Sequence, residues 1–259
     1  MCVEHTRSQL ERADVVLEAF DTRHEHLTLL GLVERTGLPK TTVHRTVKKM
    51  LELGWVEYRD GRYTIGMRLF ERAVLAPRPA ALRAAALAPM QGLRTATLET
   101  VHLAVLDGTQ VVYLEKLTGH RPIGTSSRVG GRLPALCTAL GKVLTAFRAD
   151  GPWSAVEVPV ARTKHTLTDP IEIRSVLARV RREGVAYDRE EADLGVHCIA
   201  APVTGPDGAC VAALSVTGPA GRLDLCRLAA VVSTAAHQAS RVLAAHSAER
   251  LAPSATQPA

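Results

Sequence analysis

The chain has 259 residues, 46% of them hydrophobic but only 3% aromatic, and a formal net charge of +6. This length allows one large domain or two smaller ones, with cores built from Leu, Val and Ala. No apolar run approaches the ~20 residues of a membrane span, and the N-terminus lacks the basic-then-apolar pattern of a signal peptide, so a cytoplasmic protein without a membrane partner is expected.

Ser8 to Phe20 places Leu10, Ala13, Val16, Leu17 and Phe20 at helical spacing, and Ser8 with Glu11 has the form of a capping box. After a polar break at Asp21 to Glu25, Leu27 to Arg35 reads as a second helix with Thr28 as its N-cap. It ends at Gly37. Pro39 suits the first turn of a third helix, where its missing N–H costs nothing, and that helix runs to about Leu53 and stops at Gly54. Trp55-Val56-Glu57-Tyr58 and Arg62-Tyr63-Thr64-Ile65 then read as strands of a hairpin turned at Asp60-Gly61. The order is that of a winged helix-turn-helix.

At 100° per residue, Val43, Val47, Met50 and Leu51 fall in one sector of the third helix and should face inward. Thr41, Thr42, Arg45, Lys48 and Lys49 fall on the opposite side, and no acidic residue lies between Arg35 and Leu51. Hydroxyls and cations on one exposed helical face suit the DNA major groove: Arg45 can read a guanine, while threonines and lysines meet phosphates. Lys40, His44, Arg59 and Arg62 complete the candidate DNA-binding set. This local run carries the argument, because residues 1–70 hold 11 Lys+Arg against 10 Asp+Glu and the remainder 21 against 16. A domain with so little excess charge should depend on pairing two such helices on one duplex.

Gly66 to Ala76 reads as a further helix with Met67, Phe70 and Val74 on a stripe, ended by Pro77 and Pro79. The expected organisation is a DNA-binding domain over 1–66, a linker helix and boundary over 67–79, a second domain over 80–247 and a disordered tail over 248–259. The second domain is expected to open with a helix from Ala80 to Thr95. A hairpin of Thr100 to Leu106 and Gln110 to Leu117 follows, then helices Leu136 to Phe147 and Pro170 to Gly184. The second helix should bury Ile171, Val176, Leu177 and Val180. Strand-like pieces Ala186-Tyr187, Cys198 to Val203 and Cys210 to Val216 precede a long helix from Leu223 to His246. The fold class is α+β, with a mostly antiparallel sheet flanked by helices.

Five scattered cysteines, Cys2, Cys137, Cys198, Cys210 and Cys226, form no CxxC pair and read as thiols. The ten histidines offer no ligand spacing, so no metal and no other cofactor is expected. Asp188, Glu190, Glu191 and Asp193 are placed in a loop. Cys198, Ser215 and Thr217 sit in apolar surroundings on strands, the last two on one face. Hydroxyl, thiol and carboxylate groups in an apolar cup fit a small ligand.

Four stretches together resemble the IclR-type transcriptional regulators along nearly the whole chain. They are LPKTTVHRTVKKMLELGWVE with RYTIG, ETVHLAVLDGTQVVYLEKL, RVGGRLPALCTALGKVLTA, and REGVAYDREEADLGVHCIAAPV with ALSVTGP. Gly184, Asp188, Glu191, Cys198, Ala200 and Val203 satisfy the family's signature spacing. Thr204 and Gly205 depart from its last two positions, a changed strand end. The resemblance implies a winged helix followed by a GAF-like effector domain, and a homodimer or dimer of dimers on a pseudo-palindromic operator in double-stranded DNA. It also implies a small effector, a carboxylate or an aromatic, at positions matching Ala139, Leu140, Asp188, Cys198, Ser215 and Thr217, with Leu133 and Val196 as apolar lining. Backbone N–H groups where the helix around Gly141 begins would receive an anionic group. Leu140 is bulky for its position, which predicts a restricted cavity, and the segment from Phe147 to Thr166 is short for the family's lid.

The expected function is therefore an effector-modulated transcriptional regulator, a repressor rather than an activator, and not an enzyme. A Cys198-dependent enzyme is the competing reading, opposed by the neighbouring Asp188, which raises a thiol's pKa, and by the lack of a placed histidine base. A regulator with a degenerate pocket answering to a protein partner is the other.

Overall fold

The structure, a computed structural model, describes residues 8–121, 123–148 and 158–251. The chain divides into two compact units, one up to Pro77 and one from Arg78.

In the first unit, α1 (Gln9–Glu18) starts at the Ser8–Glu11 capping box, α2 (Leu29–Thr36) at the Thr28 hydroxyl, and α3 (Lys40–Glu52) at Pro39. Pro39 is thus the residue before the helix, with extended ψ of 139°, not a member of its first turn. Val16, Leu32, Val43, Val47 and Met50 meet in a core with Val56 of β1 (Val56–Arg59). Each such side chain contributes roughly 1.5–3 kcal/mol by leaving water. β1 pairs antiparallel with β2 (Arg62–Ile65) through Asp60-Gly61, both at positive φ (50° and 76°), the turn geometry that matches strand twist. Tyr63 also exchanges two backbone hydrogen bonds with Leu27, which ties the hairpin to the loop before α2. Arg35 is not a DNA-facing cation: its Nε donates to the Ala19 carbonyl at 2.6 Å and its guanidinium pairs with Asp21 at 2.7 Å. It fastens α2 to the end of α1. α4 (Met67–Ala73) leaves Met67 and Phe70 about 60% exposed.

In the second unit, α5 (Pro77–Thr97) begins at the prolines expected to precede it. Pro77 and Pro79 occupy its first turn, where neither removes a helical bond, and Pro89 is accommodated further along. β3 (Thr100–Asp107) and β4 (Gln110–Leu117) form a hairpin, extended by a short β5 (Arg132–Pro134) absent from the sequence reading. A 3₁₀ turn over Ala135–Cys137 is separated by Thr138 from α6 (Ala139–Ala146), so the helix expected from Leu136 is broken. The Thr138 hydroxyl accepts from Gly141 N–H and restarts the helix. α7 (Pro170–Glu183) buries Ile173, Leu177 and Val180 at i, i+4, i+7 spacing and leaves Ile171 69% exposed, contrary to expectation. β6 (Ala186–Arg189), β7 (Val196–Thr204) and β8 (Cys210–Pro219) complete a six-stranded antiparallel sheet in the order β5-β4-β3-β8-β7-β6.

α5 and α8 (Leu225–Leu251) cover one face of this sheet, where Leu103, Ile199, Val203, Leu214 and Val216 are buried. α6 and α7 cover the other over Ala104, Ala186, Ala200 and Ala213. Alanines on that face let α6 lie close to the strands. α8 carries the chain as helix to residue 251, so the tail expected from 248 is helical in its first part. Residues 252–259 lie outside the described residues, as do residues 149–157 of the expected lid between Phe147 and Thr166.

Candidate functional site

On α3 the alternation of faces is as the sequence predicts. Val43, Thr46, Val47 and Met50 are buried, while Lys40, Thr41, His44, Arg45, Lys48 and Lys49 are exposed and Thr42 half-buried. Lys40, Arg45, Lys48 and Arg62 make no hydrogen bond or salt bridge with another described residue. Lys49 is different: its Nζ pairs with Glu52 at 2.8 Å, and that contact lowers the Glu52 pKa. Arg59 pairs with Glu57 at 3.2 Å. The free cations thus concentrate on the first two turns and middle of α3.

In the second unit, strand register builds a polar row on the face beneath α6. Asp188 of β6 lies opposite Cys198 of β7, which lies opposite Thr217 of β8; two residues along, Ser215 lies opposite His102 of β3. Asp188 is therefore a strand residue and not a loop residue as expected. These side chains, with Leu133, Ala139, Leu140 and Val196, line one cavity; of the predicted effector residues only Gly141 is not among its lining. The reason is steric. A Cβ on Gly141 would stand 2.1 Å from the Ala135 carbonyl oxygen, so this glycine faces the 3₁₀ turn, and its N–H is already bonded to Thr138. An anionic ligand group cannot take that donor without displacing the cap.

The cavity wall is a hydrogen-bonded chain. Cys198 Sγ lies 3.0 Å from Thr217 Oγ1, which lies 3.3 Å from His102 Nδ1; His102 Nε2 lies 2.9 Å from Ser127 Oγ. Lys116 Nζ closes the chain by donating to the Ser127 carbonyl at 2.8 Å and to Thr125 Oγ1 at 3.1 Å. Burial, helped by the Lys116 charge, lowers the His102 pKa to about 3, so the ring is neutral. Burial raises the Asp188 carboxyl to about 7. Burial first, and then the Asp188 charge, pushes the Cys198 thiol well above its ordinary value, which keeps it protonated and a poor nucleophile. Ser215 Oγ is buried with no hydrogen-bond partner among the described residues. The free space is about 20 Å³, on the order of what one water needs and far below the ~300–1,000 Å³ of a drug-sized ligand site.

His102, Tyr113 and Ser127 belong to this cavity without having been predicted. The usable signals were a lone histidine in the apolar strand TVHLAVL and a lone tyrosine in QVVYLEKL. No cluster of three His, Cys, Asp or Glu able to hold a metal occurs among the described residues, and no described helix is long and apolar enough to cross a membrane.

A winged helix with free cations on its third helix, followed by a helix-flanked sheet with a polar-walled cavity, defines a DNA-binding transcriptional regulator with a small-molecule sensor. The pattern of the IclR helix-turn-helix domain matches residues 9–60 and that of the bacterial transcriptional regulator IclR C-terminal domain matches residues 78–243, so the chain belongs to the IclR family. It is 33% identical over 225 residues to the HTH-type transcriptional regulator XynR of Escherichia coli K12, covering 85% of this chain and 89% of that one. It is 33% identical over 239 residues to KdgR of the same organism, covering 89% and 90%. The fold is similar to that of an IclR homologue from Microbacterium hydrocarbonoxydans in complex with 4-hydroxybenzoate, at a TM-score of 0.82 and 31% identity, over 91% of this chain and 99% of that one.

Proposed function

We propose that this protein is a homodimeric repressor whose two α3 helices read successive major grooves of a pseudo-palindromic operator, and that a small carboxylate or aromatic acid in the Asp188–Cys198–Thr217 cavity changes its operator affinity. The observation that carries the DNA reading is the set of unpaired cations, Lys40, Arg45 and Lys48, on the exposed face of α3. Arg45 is assigned to a base edge and Lys40, Lys48 and Arg62 to phosphates, with Thr41, Thr42 and His44 beside them. Lys49 and Arg59 take part only by leaving Glu52 and Glu57. The segment over 67–79 connects sensor to reader.

In the sensor, Ser215 Oγ offers an unused hydroxyl, and burial raises the Asp188 carboxyl to about 7, so its protonated form is populated near neutral pH and both groups can donate to a ligand carboxylate. The relative's 4-hydroxybenzoate combines a carboxylate with a ring, the chemistry that Leu133, Leu140 and Val196 would receive. Entry requires the cavity to widen, and a ligand that binds the wide form shifts the population toward it. The protein acts without covalent chemistry, in keeping with the protonated Cys198 thiol.

The test is selection of bound DNA from a random double-stranded pool by the full-length protein. A pseudo-palindromic sequence should be enriched, and Arg45→Ala should weaken its binding by roughly 10–100-fold, the worth of one good base pairing, without changing the melting temperature. Absence of an enriched sequence, or undiminished affinity in Arg45→Ala, refutes the reading. The small cavity supports a second reading, a regulator that no metabolite reaches and that answers to a protein partner. Failure of every small acid to shift either melting or operator affinity would favour it.

A further inference from the structure

A second cavity of about 240 Å³ opens between α6, α7 and β6, and shares no lining residue with the first. Its floor is a pair of charged side chains, Lys142 and Glu191, 3% and 9% exposed. Lys142 Nζ donates to the Tyr187 carbonyl at 2.7 Å and to Glu191 Oε1. An ammonium has three donors, so one is unassigned. Glu191 Oε2 is buried and has no hydrogen-bond partner among the described residues. The floor therefore presents a spare donor beside a spare acceptor. A buried carboxylate oxygen without a donor is costly, and filling it is favourable.

The rim has a different character. Arg179 forms no hydrogen bond or salt bridge with a described residue, and the Arg189 guanidinium rests 4.8 Å over the Tyr187 ring without a carboxylate partner. Glu172 is the one acidic side chain among the rim residues. Two guanidiniums against one carboxylate leave the rim positive, and guanidinium groups bind carboxylates bidentately. A hydroxyl both donates and accepts, so it matches the floor; a carboxylate matches the rim.

We propose that this cavity is a second ligand site, separate from the first, for a small hydroxy acid whose hydroxyl meets Glu191 Oε2 and Lys142 and whose carboxylate meets Arg179 and Arg189. A purely structural ion pair accounts for Lys142 and for Glu191 Oε1. It does not account for an Oε2 buried beneath the cavity floor without a donor, or for arginine side chains at the mouth that form no salt bridge with a described residue. Glu191 also joins the two cavities, because its backbone N–H donates to Asp188 Oδ1 at 2.7 Å. An occupant that draws on Glu191 thus bears on the wall of the first cavity.

Calorimetric titration of the full-length protein with glycerate, and with propionate and glycerol as controls, tests this. Glycerate should bind and, at ten times its Kd, raise the melting temperature by roughly 3–5 °C, while propionate and glycerol bind at least tenfold more weakly. Arg179→Ala with Arg189→Ala should weaken glycerate at least tenfold, and the single charge reversal Arg179→Glu should do the same. Both arginines are exposed, so the unliganded melting temperature should not move. No glycerate binding, unchanged binding in the rim variants, or equal binding of propionate overturns the proposal. The rim variants tell the two cavities apart, because Arg179 and Arg189 line the second and not the first, so glycerate held in the first cavity would bind the variants unchanged.

Discussion

The backbone N–H of Glu191 donates to Oδ1 of Asp188 at 2.7 Å, so the residue that pairs with buried Lys142 also holds the carboxyl facing the first cavity. Glu190, between them, sits at φ 63°, the left-handed turn that brings the Glu191 amide back toward the strand. Burial and hydrogen bonding at one corner of the sheet are in this way shared between two cavities.

Asp188 gives the protein a defined pH response. Its folded pKa, raised to about 7 by burial, exceeds the ~3.9 of an unfolded aspartate. The folded state therefore binds the proton more tightly, and the associated stability is fully present below about pH 4 and lost as pH rises to about 7. Lys142, Glu191 and Cys198 face the carboxyl and are left unchanged by a substitution at Asp188. Asp188→Asn should remove the loss, gaining up to about 4 kcal/mol over wild type at pH 8 but little at pH 4. Urea unfolding at the two pH values measures it; an equal difference at both would exclude the assignment.

Leu140 limits the first cavity. Leu140→Ala should cost about 2–5 kcal/mol, because α6 is held against the 3₁₀ turn and cannot collapse into the gap. The same change should increase the affinity for 4-hydroxybenzoate by widening the cavity. Titration of both proteins with that acid reads the effect, and weaker binding by the variant would show that Leu140 is a contact rather than an obstruction.

Lys142→Met should destabilise by about 3–5 kcal/mol, since Glu191 is left buried without its counter-charge. The cost should grow with pH, as burial already raises the Glu191 pKa and the variant can accept a proton there. Adding Glu191→Leu should recover most of the loss. Denaturation midpoints of the single and double variants decide it; non-recovery would point to the Lys142–Tyr187 contact instead.

Gly141→Ala separates propensity from packing. In an exposed helix the change gains about 1 kcal/mol. Here the new Cβ meets Ala135 at 2.1–2.3 Å from backbone atoms, so a loss of at least about 1–3 kcal/mol is expected. A melting temperature at or above wild type would contradict the close approach.

The winged helix was nearly complete in the sequence because its signals are local. The Ser8–Glu11 box, the Thr28 cap, the faces of α3 and the Asp60-Gly61 turn each act within a few residues, and each appears where the pattern put it. Errors arose where one local signal permits two outcomes. Pro77 and Pro79 can end a helix or begin one, and here they begin α5. Ile171 is as apolar as Ile173, but only Ile173 falls on the side of α7 that meets α6.

By itself the sequence determined the two-part order, the exposed cationic face of α3, the family and the strands that carry Cys198, Ser215 and Thr217, whereas Asp188, read as a loop residue, proved to lie on β6. Tertiary structure decided what those residues meet. Register across β6, β7, β8 and β3 brought His102 and Ser127 into the first cavity. The Arg35–Asp21 pair fastened α2 to the chain that follows α1. The close approach of α6 to Ala135 excluded Gly141 from the cavity, and the packing of α7 beside α6 created the second cavity over Lys142 and Glu191. Helical and strand periodicities state which way a side chain points, whereas the neighbour it meets depends on residues tens of positions away, which only closure of the sheet brings together.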